Sequence, residues 1–90
     1  GRLYPFGVEC IAMTFPEVLR AALVAHQGHR VLAIEAADPT PELKARLTAS
    51  VAPAHVQKVL FLPRLPVDRR HNAKIDYPAL QKELAGRNST

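Results

Sequence analysis

Apolar residues fall in two rhythms along this chain. From residue 5 to 15 they keep helical spacing: Val8, Ile11, Ala12 and Phe15 share one face, and Pro5 suits the first helical position. Thr14-Phe15-Pro16 ends that helix, because a residue preceding proline is pushed toward extended geometry. Two apolar runs follow, Val18 to His26 and Arg30 to Ala36, separated by Gln27-Gly28-His29. They predict an antiparallel hairpin with glycine in the turn. Val31-Leu32-Ala33-Ile34 is unbroken in apolar character, as expected of a strand covered on both faces.

The helical rhythm then returns. Thr40 suits an N-cap, Pro41 the first helical position and Glu42 the first turn. Leu43, Leu47 and Val51 follow at four-residue intervals with Lys44 and Arg46 off that face, so a helix runs to about Val51 and covers the sheet. Ala52-Pro53 stops it. A third strand is expected from Val56 to Leu62, with His55 at its edge. A last helix starts after Asp76 as N-cap, turns Leu80 and Leu84 inward and ends at Gly86; residues 87–90 read as a polar tail. The pattern defines an α+β fold, a small three-stranded, mostly antiparallel sheet flanked by about three helices in one domain spanning 1–90.

Ninety residues support one thin core but not a large enclosed active site. Hydrophobic content of 48% with 22% charged residues is ordinary globular composition. The net charge of +4 and pI near 9.7 suit an anionic partner, which speaks to association and not to chemistry. The single Cys10 is read as a small buried residue. His26 and His29 flank the hairpin turn without a third ligand at a familiar spacing, so no metal site is expected. Glu9 reads as a solvated acid near a helix start, favoured by the helix dipole, over a contact to a ligand or partner. No stretch approaches a membrane span and no charged-then-apolar leader is visible, so the cytoplasm is the expected compartment. The chain opens on Gly-Arg without an initiating Met, so an excised piece of something longer or a processed tail is expected.

Candidate chemistry concentrates in Leu65 to Tyr77. Arg64, Arg69, Arg70, His71 and Lys74 bring five cationic or titratable groups into eleven residues, against one acid, Asp68, before the helix cap. The segment follows the last strand and precedes the last helix, so it can present side chains from fixed ends. An anion is the expected visitor. Arginine offers a fixed fork of donors, and lysine a mobile point charge on a long stem. Asp68 is expected to pair locally with one of the arginines.

Leu65-Pro66, a polar spacer, Asn72-Ala73-Lys74-Ile75-Asp76 and Leu80 resemble the last motif of the adenylate-forming superfamily, which comprises acyl-CoA synthetases, adenylation domains of nonribosomal peptide synthetases and luciferases. Leu3-Tyr4-Pro5-Phe6-Gly7-Val8-Glu9 is similar to the motif that opens that superfamily's small C-terminal domain. The run Pro66-Val67-Asp68 to Lys74-Ile75 resembles most the β-lactone synthetases of bacterial olefin biosynthesis. Ala73 stands where most members have glycine, and Gly7 replaces a glutamate.

The resemblance implies a C-terminal lid domain whose large N-terminal partner, supplied in cis or in trans, binds ATP, Mg²⁺ and a carboxylic acid. No cofactor is expected on the lid alone, which would be inactive in isolation. Lys74 is then the catalytic lysine of acyl-AMP formation. Arg69, Arg70, His71 and Asn72 are candidates for nucleotide, substrate or interface contacts, and the acceptor of the second step is CoA, a carrier protein or an internal lactone closure. The residue types suit this chemistry, because a carboxylate must approach a negatively charged α-phosphate and a cation between them lowers the barrier. The competing expectation is a small basic nucleic-acid-binding module. It is weakened because Tyr4, Phe6, Phe15, Phe61 and Tyr77 sit in core patterns and do not interleave with Lys and Arg as stacking platforms would.

Overall fold

The computed structural model describes residues 5–71 and 74–87. Helix α1 spans Pro5–Met13, strands β1 and β2 span Val18–His26 and His29–Ala36, and helix α2 spans Pro41–Val51. Strand β3 (Lys58–Phe61), the short strands β4 (Val67–Asp68) and β5 (Lys74–Ile75), and helix α3 (Tyr77–Arg87) complete the chain.

The first helix is shorter than its apolar rhythm implies. It ends at Met13, and the next two amides close tight turns instead, Thr14 N to the Ile11 carbonyl at 3.2 Å and Phe15 N to that of Ala12 at 3.1 Å. Pro16 forces that change of path. Cys10, expected inside, is exposed, since it lies across the helix from the buried Val8 and Ala12.

The hairpin forms as its residues require. Gln27 and Gly28 make a two-residue turn with φ of 52° and 77°, the positive pair that matches strand twist in a tight hairpin, and His29 already belongs to β2, opposite His26. An irregularity at Leu19 shifts the register between Val18 and Arg20 and turns Leu19 outward.

Strand β3 joins β2 in parallel, so the sheet, ordered β1-β2-β3, is mixed: the longer pairing is antiparallel and the shorter one is not. Parallel neighbours need a crossover, and α2 supplies it. Its start is capped as expected, the Thr40 hydroxyl accepting from Leu43 N at 3.1 Å. A 3₁₀ turn at Ala52–Ala54 and His55, at φ 61°, lead into β3, which is shorter than expected. Gln57 N and Leu62 N extend its pairing to the carbonyls of Arg30 and Ile34.

The unbroken apolar runs of β1 and β2 serve two cores. Ala21, Leu23, Leu32 and Ile34 face Val8 and Ala12 of α1 and Leu43, Leu47 and Val51 of α2. Ala22, Val24, Val31 and Ala33 face Leu80 and Leu84 of α3 together with Leu62 and Leu65. The sheet is therefore the middle of three layers, and the segment from Leu62 to α3 closes the second core.

Candidate functional site around Lys74

The segment expected to be a loop carries a small antiparallel ribbon, β4 with β5, pairing Val67 with Ile75 and Asp68 with Lys74. Its base is fastened to the body. Leu65 is buried, and its amide donates to Glu35 Oε1 at 2.8 Å; Asp76 N donates to the Pro66 carbonyl at 3.0 Å. Asp76 also caps α3, its carboxylate accepting from Ala79 N at 3.0 Å. Lys74 thus stands on a short ribbon held from two sides.

The Lys74 side chain is exposed and makes no ion pair or hydrogen bond among the described residues. It borders an open depression of about 350 Å³ with Asp68, Ile75, Asp76, Tyr77 and Pro78. Its nearest acids are engaged: Asp68 accepts from Arg70 N at 3.0 Å and lies 3.5 Å from Arg70 Nε, while Asp76 serves as the helix cap. That is the local Asp68–arginine pairing expected of the sequence.

The other cationic candidates disperse. Arg70 is exposed beside Asp68, whereas Arg69 lines a different depression with Arg20 and Arg64. The backbone of His71 closes a 3₁₀ turn over Arg69–His71; its side chain, Asn72, Ala73, and Leu3 and Tyr4 of the upstream motif lie outside the described residues. Phe15 and Phe61 pack against the first core and are not displayed as platforms for bases. No group of three or more His, Cys, Asp or Glu placed to hold a metal occurs among the described residues.

Two acids prove more structural than the sequence suggests. Glu9, expected in solvent, accepts from Leu23 N at 2.8 Å and from the Tyr77 hydroxyl at 2.6 Å, joining α1, the free edge of β1 and the start of α3. Desolvation, reinforced by the Glu9 carboxylate, raises the Tyr77 phenol above its ordinary pKa. Glu35 is the one buried charged side chain among the described residues, and besides Leu65 N it accepts from Arg20 Nη1 at 3.3 Å. Its signal in the sequence was a lone carboxylate closing an apolar strand.

Solved structures that share this fold over a small part of their own length include acyl-CoA synthetases and other adenylate-forming enzymes. An acyl-CoA synthetase from Brucella canis is 26% identical over 94% of this chain and 18% of its own, with a TM-score of 0.76. A benzoate CoA ligase from Burkholderia xenovorans LB400 is 24% identical over 86% of this chain and 18% of its own (TM-score 0.67). An amide bond synthetase from Marinactinospora thermotolerans is 22% identical over 90% of this chain and 18% of its own (TM-score 0.69). The chain spans about 18% of the length of these structures. No protein-family model matches it, and no curated protein matches it significantly.

Proposed function

We propose that this chain is the C-terminal cap of an ATP-dependent, carboxylate-activating ligase and that Lys74 supplies the cation for acyl-adenylate formation. The observation that carries the reading is the state of Lys74: an exposed ammonium without a partner among the described residues, on a ribbon fastened at Leu65 and Asp76, in a fold shared with acyl-CoA synthetases. An ammonium placed between an incoming carboxylate and the α-phosphate offsets their repulsion and stabilises the charge developing on the pyrophosphate. Its long stem lets it follow that charge as the bonds change.

The cap does not carry the rest of the machinery. Asp68 and Asp76 are committed to Arg70 and to the α3 terminus, so Mg²⁺ falls to the large domain, as do ATP and the acid. Closure of the cap over that domain would bring Lys74 to the reacting groups and exclude water. Arg70, beside Asp68, lies on the same ribbon and can reach the interface or the nucleotide, with His71 and Asn72 following it in sequence. Within the class, the wording of residues 66–75 favours the β-lactone synthetase branch, and a cytoplasmic enzyme with access to ATP is the matching setting.

The test is Lys74→Ala in the full-length enzyme. Pyrophosphate exchange dependent on the acid should fall on the order of a hundredfold or more while ATP binding is retained. Exchange at the parent rate would remove the catalytic assignment.

A further inference from the structure

The ribbon borders a second depression, which carries its own cluster. Arg20 from β1, Arg64 from the β3–β4 connection and Arg69 from the turn after β4 converge with Glu35, Leu65 and Val67 around a depression of about 340 Å³. None of these residues lines the Lys74 depression. Two neighbouring residues of β4 divide between them, Val67 bordering the arginine depression and Asp68 the Lys74 depression.

We propose that this arginine depression is a second anion site, separate from Lys74, that takes a phosphate group. Its floor is firm: Leu65 and Glu35 are buried, and both Glu35 oxygens are in use, Oε1 by Leu65 N and Oε2 by Arg20. Arg64 and Arg69 are exposed and make no hydrogen bond or ion pair among the described residues. Three guanidinium groups around one spent carboxylate leave a formal charge of +2 by residue type. A phosphate, with a charge of about −1.5 to −2 near neutral pH, balances that excess, where a monocarboxylate balances half of it. Guanidinium forks also match tetrahedral phosphate oxygens two at a time. Scattered solvated arginines need no ligand, but these come from three separate segments and meet over a buried floor.

The site is tested on the ¹⁵N-labelled 90-residue chain by NMR, following Arg Nε–Hε and backbone amide signals at constant ionic strength. Inorganic phosphate, pyrophosphate and AMP are titrated separately. The expected result is a saturable shift confined to Arg20, Arg64, Arg69 and the Leu65 amide. In the Arg64→Gln/Arg69→Gln variant, with both positions exposed and folding checked by amide dispersion, the affinity should drop by roughly tenfold or more, as expected when charge-assisted hydrogen bonds are lost. Equal affinity for the three probes identifies the phosphate group alone as the ligand; tighter AMP binding with added shifts outside the depression identifies a phosphate ester of a larger molecule. Linear, non-saturating shifts spread over all lysines and arginines, or unchanged affinity in the double variant, would overturn the proposal. The titration does not read acyl-adenylate formation, so its failure leaves the assignment of Lys74 standing, and the converse holds.

Discussion

Tyr77 and Glu9 meet across a sequence separation of 68 residues, and their contact illustrates how single side chains tie this protein together. Glu9 satisfies an amide on the open edge of β1, which would otherwise need water or a neighbouring strand. Tyr77→Phe removes the hydroxyl and leaves Glu9 with Leu23 N, so we expect a loss of about 1 kcal/mol in urea unfolding, the usual size for a partly exposed hydrogen bond. The pH dependence follows from the raised phenol pKa. The folded state holds the neutral phenol more tightly than the unfolded chain does, so this stabilisation is complete below the ordinary tyrosine value of 10.0 and is lost as pH rises past it toward the folded value. Tyr77→Phe should remove that alkaline component from the pH–stability curve; an identical curve would show that the phenol is not so perturbed. At this scale the sequence was least informative. The types of Glu9 and Cys10 suggested an acid in water and a buried thiol, whereas helix phase and distant neighbours reversed both.

Secondary elements were far more legible, because their signals are local. The Thr40-Pro41-Glu42 start and the Leu43, Leu47 and Val51 spacing name a helix and its buried face without reference to the rest of the chain. The hairpin depends in the same way on Gly28, whose φ of 77° is strained for any residue with a Cβ. No atom lies within 4 Å of a Cβ added there, so Gly28→Ala should cost only the backbone penalty, about 1 kcal/mol. A drop in Tm measured by circular dichroism checks it, and an unchanged Tm would refute the turn assignment. The β4–β5 ribbon escaped notice because two-residue strands carry no periodicity; pairing and anchors define it, not composition.

For the whole molecule, one sheet divides two cores, and energetic independence should follow. Ile34→Val, on the α1 and α2 side, and Leu80→Ala, on the α3 side, are expected to cost about 0.5–1.5 and 2–5 kcal/mol respectively. The double variant should lose the sum to within about 0.5 kcal/mol in urea unfolding, because the two residues belong to separate buried clusters. A larger coupling would mean that the sheet transmits packing changes between its faces. Lys74, Arg64 and Arg69 all lie in the connection between β3 and α3, whereas Arg20 and Glu35 reach the arginine depression from β1 and β2.

The sequence by itself determined which stretches become the three helices and the three longer strands, which face of each helix is apolar, and which segment gathers cationic groups. Those properties depend on neighbours three or four positions away, where steric and hydrogen-bonding preferences act directly. Only the tertiary structure decided that β3 lies parallel to β2, that Glu35 reaches the Leu65 amide from 30 positions away, and that Arg20 joins Arg64 and Arg69. Burial of apolar faces is non-directional and fixes how much surface must be covered, whereas the partner of each buried polar group is chosen by the assembled fold as a whole.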